Sequence, residues 1–259
     1  MRERKRHMRI VRFEKAGTIR YGLLADDEVV PLINGPFGPL DVPSDAPRFP
    51  LQEVRLLAPV TPGKVLAIGR NYAEHAAELG NDVPEEPLVF LMPGSAVIGP
   101  GEAIVKPSYT DELHHEAELA AVIGRTCRDL TPEEVPAHVL GYTCANDVTA
   151  RDLQGPDRQW WRAKGSDTFC PVGPWVETDL DVRAVGVRAT VNGETRQDGN
   201  SSHMVHPVDR LISHISSAMT LHPGDVILTG TPAGVGPLRR GDRVTVSVEG
   251  IGELTNPVV

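Results

Sequence analysis

The sequence predicts an α+β fold that is mostly β. Three observations carry this. Glycine and proline are abundant, 25 and 23 in 259 residues, which implies many turns and short strands. Strand-like runs recur along the whole chain, in MRIVRFEK, EVRLLAPV, HHEAELAAVIG, TFCPVGPWV, VRATVNGETRQ and DRVTVSVEGIG. The regular β-α alternation that a doubly wound parallel sheet needs is absent.

Residues 8–33 read as three short strands, broken at Lys15–Ala16–Gly17 and Ala25–Asp26–Asp27. A Pro-rich connector runs from Gly35 to Pro50, and two strand-like runs then flank Thr61–Pro62–Gly63. This gives a small N-terminal β domain over 1–58, with 1–7 expected to be disordered, and a larger domain over 59–259. Tyr72–Leu79 is helix-compatible and closed by Gly80–Asn81, a short polar helix suited to a lid. TPEEV at 131–135 reads as a helix start. Asn192–Gly193 marks a hairpin. Apolar positions at Val208, Leu211, Ile212, Ile215 and Met219 predict a helix over 207–220.

The formal net charge of −9 speaks against a nucleic-acid surface. No apolar run approaches 18 residues, so no membrane span is expected. The basic start, MRERKRHMRI, has no apolar segment behind it and does not read as a secretory signal. Cys127, Cys144 and Cys170 are widely spaced and fit buried thiols in a reducing, cytoplasmic setting.

The chemistry concentrates in HHEAELAAVIG. On a strand, Glu116 and Glu118 point to one face, where like charges repel unless a cation lies between them. Asp147, in CANDVTARDLQ, is the nearest third carboxylate. An all-oxygen set of this kind suits Mg²⁺ or Mn²⁺, with Ca²⁺ an alternative, better than zinc. Lys164 is one of five lysines. It is read either as a point charge facing a developing enolate oxygen or as a surface partner of Asp167. His75 and Glu78, three apart on the short helix, share a face and suit a general-base pair. In TGTPAGVG the backbone N–H groups and the Thr231 hydroxyl are candidates for holding a carboxylate.

Together, RNYAEHAAELG, HHEAELAAVIG, GYTCANDVTARDLQ, AKGSDTFCPVGP, VNGETRQDGNSSHM and GDVILTGTPAGVGP resemble the fumarylacetoacetate hydrolase family, in its C-terminal catalytic domain. The resemblance implies a mixed β-sandwich roll, a homodimer, and Mg²⁺ or Mn²⁺ acting on 2-oxo acids or their enols. It places metal ligands at Glu116, Glu118 and Asp147 and the catalytic set at His75, Glu78 and Lys164. Substrate contacts fall at Arg70, Arg151, Gln154, Gly230 and Thr231. The expected activity is hydrolysis or decarboxylation of small 2-oxo acids, cleaving a C–C bond through a metal-stabilised enolate. Isomerisation of a 2-hydroxyhepta-2,4-diene-1,7-dioate is the alternative. A non-catalytic metal-binding scaffold is the reading from another class.

Overall fold

The structure is a computed structural model, and residues 8–259 are described. The expected disorder of 1–7 lies outside the described residues. The N-terminal stretch forms β1 (Arg9–Lys15), β2 (Thr18–Ala25) and β3 (Glu28–Pro31), followed by β4 (Phe49–Pro50) and β5 (Arg55–Leu57). Two-residue turns join the first three strands. Ala16–Gly17 and Asp26–Asp27 both have positive φ, as the hairpin turn that matches strand twist requires. Asn192–Gly193 has the same geometry.

The rest of the chain runs through β6 (Val65–Gly69), α1 (Ala73–Glu78), β7 (Leu88–Met92), β8 (Val97–Ile98), β9 (Leu113–His115) and β10 (Ala117–Ile123). Then follow β11 (Val139–Asn146), β12 (Thr149–Ala150), α2 (Arg151–Gln154), α3 (Trp161–Gly165) and β13 (Cys170–Glu177). The last third holds β14 (Gly186–Val191), β15 (Glu194–Asn200), α4 (Val208–Ala218), β16 (Val226–Leu228), β17 (Gly236–Leu238), β18 (Arg243–Val248) and β19 (Gly252–Pro257). The fold is mostly β with few helices, as expected. The predicted helix start at 131–135 yields only a 3-10 turn, Val135–Ala137. Pro136 inside it withholds the N–H that a longer helix would use.

One large sheet has the order β4-β3-β2-β1-β13-β11-β10-β16-β6-β7, with β5 on β1 and β8 on β13. The N-terminal strands are therefore part of the main sheet, through the antiparallel β1–β13 pair. A four-stranded sheet, β15-β14-β18-β19, packs over it, and a small sheet, β12-β9-β17, continues from the ends of the central strands β10 and β11.

Strand β10 is buried at every position, which explains its unbroken apolar run. Leu119, Ala121 and Ile123 face Val187, Ala189, Val246 and helix α4. Ala120 and Val122 face the opposite way, toward Val65, Ala67 and Val226. Helix α4 buries Val208, Leu211, Ile212 and Ile215, each worth about 1.5–3 kcal/mol against exposure. Cys127, Cys144 and Cys170 are buried free thiols. Among the described residues no helix is long and apolar enough to cross a membrane.

Candidate metal centre and active site

Glu116 sits at a break between two strands. β9 before it pairs with β12 and β17, whereas β10 after it pairs with β11 and β16. The chain changes sheets at this residue. Asn146 Oδ1 accepts the Glu116 N–H at 3.0 Å, and the Glu116 carbonyl accepts the Asp147 N–H at 2.9 Å. Those two bonds hold the end of β11 against the break. Asp147 thereby arrives beside Glu116 and Glu118. One carboxylate oxygen from each lies within 4.8 Å of the others, and all three residues are buried.

Most of the carboxylate oxygens have partners. Lys164 Nζ donates to Glu116 Oε2 at 2.7 Å and to Asp147 Oδ2 at 2.6 Å. Arg151 donates to Glu116 Oε1. The Gly230 N–H donates to Glu118 Oε2 at 2.6 Å. Lys164 is thus an internal cation at the carboxylates, not a surface partner of Asp167: it is 2% exposed, whereas Asp167 is exposed. Glu118 Oε1 and Asp147 Oδ1 remain buried without a partner. Such orphaned acceptors are costly. A hard divalent cation between them would satisfy both, and the all-oxygen donor set suits Mg²⁺ or Mn²⁺. The residues fit the ion that the resemblance implied.

The electrostatics agree. Burial raises the Glu118 carboxyl well above its ordinary range, and Asp147 and Glu116 push it further. Burial likewise lifts Asp147 to about 7, against the opposing pull of Lys164. For Glu116 burial also pulls upward, but the Lys164 and Arg151 charges outweigh it and hold this carboxyl well below the usual value. Lys164 is raised despite the burial penalty, because Asp147 and Glu116 favour its charged form. Two acids held above their normal range beside one held below it form a site short of positive charge.

Helix α1 brings the histidine. His75 Nδ1 is 3.2 Å from Glu78 Oε2, and His75 is 5% exposed. The glycine-rich turn does hold carboxylates, but they are the chain's own: Gly230 N–H binds Glu118, and Gly234 N–H binds Glu78 at 3.1 and 3.2 Å. Gly230 has φ +98°, and a Cβ there would lie 2.7 Å from Asn71 Cβ, so only glycine fits. The Thr231 hydroxyl corrects the expectation that it donates to a bound carboxylate. Its hydrogen goes to the Ala117 carbonyl at 2.9 Å.

A cavity of about 510 Å³ gathers Arg70, His75, Glu116, Asp147, Arg151, Gln154, Lys164 and Thr231 on its walls. Glu118 and Gly230 are buried outside its lining, and Glu78 is exposed beside His75. Arg151 also donates to Gln154 Oε1, at 2.5 Å. Sequence reasoning missed Phe90, which lines the cavity, and Gln197, buried behind Thr231. Arg158, in the loop between α2 and α3, also lines the cavity. Gln197 is the single buried residue of a polar strand. The two adjacent tryptophans, Trp160 and Trp161, divide. Trp160 lines the cavity and meets Phe90 edge-on at 5.1 Å, whereas Trp161 is 68% exposed.

Comparisons with known proteins give the family. Protein Rv2993c of Mycobacterium tuberculosis is 52% identical over 214 residues, covering 82% of this chain and 81% of that protein. The mitochondrial oxaloacetate tautomerase FAHD2A of Bos taurus is 42% identical over 226 residues, covering 82% of this chain and 72% of its own. The crystal structure of a 5-carboxymethyl-2-hydroxymuconate delta-isomerase from Mycobacterium smegmatis superimposes with a TM-score of 0.91 at 48% identity, covering 97% of this chain and 99% of that one. Residues 8–59 match the Rv2993c-like N-terminal family. Residues 64–259 match the fumarylacetoacetate (FAA) hydrolase C-terminal family, and the chain belongs to that family.

Proposed function

We propose that this protein is a Mg²⁺- or Mn²⁺-dependent enzyme of small 2-oxo dicarboxylic acids, and that its reaction is proton transfer between keto and enol or dienol forms. The observation that carries the metal reading is the pair of orphaned oxygens, Glu118 Oε1 and Asp147 Oδ1, in a buried three-carboxylate cluster. When bound, the ion supplies Lewis-acid polarisation of the 2-oxo group. The Lys164 ammonium, fixed by two carboxylates, places a second positive charge beside the same oxygen. His75, oriented by Glu78, takes a proton from the substrate carbon or returns it. Arg151 and Gln154, bonded to each other, orient the C1 carboxylate.

Charge balance supports a dicarboxylate. Glu78, Glu116, Glu118 and Asp147 supply four negative charges, and Arg70, Arg151, Arg158 and Lys164 supply four positive ones at the same cavity. The charge of a divalent ion is then left for two substrate carboxylates. The names of the Bos taurus and Mycobacterium smegmatis relatives, a tautomerase and an isomerase, favour proton transfer over cleavage.

Hydrolytic or decarboxylative C–C cleavage of acylpyruvates, fumarylpyruvate or oxaloacetate is the second reading. The His75–Glu78 pair on a cavity of about 510 Å³ supports it, since the same base activates water wherever water enters. The homodimer and the cytoplasmic setting belong to the proposal too. The test is NMR of oxaloacetate and 2-hydroxyhepta-2,4-diene-1,7-dioate in D₂O with Mg²⁺. Metal-dependent deuterium entry at carbon without pyruvate supports proton transfer. Stoichiometric pyruvate moves the assignment to cleavage. Turnover that persists in EDTA defeats both.

A further inference from the structure

Gln197 is fully buried, and its carboxamide is saturated. Oε1 accepts from the Ala117 N–H at 2.9 Å and lies 3.0 Å from His115 Nδ1. Nε2 donates to Thr231 Oγ1 at 2.7 Å and to the Pro232 carbonyl at 2.8 Å. The Pro232 carbonyl only accepts and the Ala117 N–H only donates, so the amide has one possible orientation. Two consequences follow. His115 must carry its proton on Nδ1. Thr231 Oγ1 must accept from Gln197, which leaves its own hydrogen for the Ala117 carbonyl at 2.9 Å.

The three bonds close a ring: Ala117 N–H to Gln197, Gln197 N–H to Thr231, and Thr231 O–H back to the Ala117 C=O. The residue at its centre is the one between Glu116 and Glu118. Both halves of the Ala117 backbone are thereby pinned, and with them the spacing and direction of the two carboxylates. The local strand geometry serves this placement. In the β14–β15 pairing, Ala189 faces Gln197 and Thr190 faces Thr195, so Arg196 is an extra residue. A bulge of this kind re-aims the neighbouring side chain, and here Gln197 turns inward from a strand whose other residues are exposed or half-buried.

We propose that Gln197 is a positioning residue for the metal centre, locking the Glu116–Ala117–Glu118 segment through this ring and leaving Thr231 to face the cavity only as a hydrogen-bond acceptor. Toward the pocket, Thr231 therefore receives a hydrogen from water or from a substrate enol hydroxyl, and does not donate to a carboxylate. The inference rests on the metal reading of the three acids.

The experiment compares Gln197→Met, Thr231→Val and Thr231→Ser with the wild type. Mn²⁺ binding is measured by electron paramagnetic resonance well below each melting temperature. Hydrogen exchange of the peptide spanning 116–118 is measured on metal-free protein. Gln197→Met and Thr231→Val should each weaken Mn²⁺ binding about ten- to hundredfold, the usual cost of removing an outer-shell partner, and should lose protection at Ala117. The double variant should cost little more than either single change, since one ring is broken only once. Thr231→Ser keeps the hydroxyl and should retain both properties. Variants that melt lower but bind Mn²⁺ like the wild type would reduce Gln197 to a packing role and overturn the inference alone. Wild-type protein that binds no Mn²⁺ would overturn the metal reading together with it.

Discussion

Glu78 reaches across from helix α1 to Gly234, with both carboxylate oxygens within 3.2 Å of that amide. The contact ties the helix that carries His75 to the turn that carries Gly230 and Thr231. One carboxylate thus orients the His75 ring and fastens α1 to that turn.

Replacing His75 with Asn should therefore lower kcat about hundredfold or more, the scale of general acid–base catalysis, with Mn²⁺ affinity unchanged. Glu78→Gln should lower kcat less and also loosen α1, since a neutral amide grips the Gly234 N–H less well than a carboxylate. Steady-state kinetics beside hydrogen exchange of residues 73–80 would separate the two effects. Equal kcat in both variants and the wild type would remove the base assignment.

Lys164 predicts how the metal-free protein behaves. It and Arg151 already neutralise part of the carboxylate cluster, so chelation should abolish activity without unfolding the chain. Lys164→Met should destabilise the metal-free form by about 3 kcal/mol, because uncompensated charge is left buried. Added Mn²⁺ should restore part of that loss. Urea melts with EDTA and with Mn²⁺ measure both numbers. A Lys164→Met protein as stable as wild type in EDTA would contradict this account.

The pH dependence follows from Asp147, which burial raises from 3.8 to about 7. Between those values the metal-free native state holds a proton that the unfolded chain has released. The stability this gives is fully present below about 4 and is lost as pH rises through about 7. Metal binding expels that proton. Mn²⁺ affinity should therefore climb by at least about tenfold per pH unit below 7, one proton coming from Asp147 and more from Glu118, which is raised too. Calorimetric titrations in buffers of different ionisation enthalpy count the protons released. A flat affinity from pH 5 to 8 would refute the shift.

Arg158 and Arg70 predict selectivity for a second carboxylate. 2-Oxoglutarate and 2-oxopentanoate differ only at the far end of the molecule. In Mg²⁺ the wild type should prefer the diacid by about ten- to hundredfold, the worth of a charge-assisted hydrogen bond. Arg158→Gln should erase much of that preference while leaving 2-oxopentanoate binding unaltered. Fluorescence quenching of Trp160 gives the readout. Equal affinities for the two acids in the wild type would refute the dicarboxylate assignment.

Much of the architecture was legible because it is written in local patterns. The turn pairs Ala16–Gly17, Asp26–Asp27 and Asn192–Gly193 punctuate the strands, and the spacing of Val208, Leu211, Ile212 and Ile215 marks α4. Glu116, Glu118 and Asp147 could be singled out because acids beside an apolar run are electrostatically odd. What stayed hidden depends on distant pairing. Nothing near Arg9 announces that it lies opposite Glu177. Gln197 looks like one more polar residue until the bulge at Arg196 turns it inward. Thr231 was assigned a donor role that its neighbours withdraw, since a hydroxyl has one hydrogen and Ala117 takes it.

The β1–β13 seam bears on how such a protein is assembled from parts. β13 borders β11, and Asp147 follows directly from the end of β11. The N-terminal segment is therefore not cargo carried beside a finished catalytic unit. Any segment exchanged for it must bring a strand in the register of Arg9 with Glu177 and Ile10 with Val176. Without one, the catalytic half is left with an open flank two strands from its own chemistry, a template for pairing with other chains. Modularity here is limited by backbone hydrogen bonds at a seam, more than by the linker that joins the two segments.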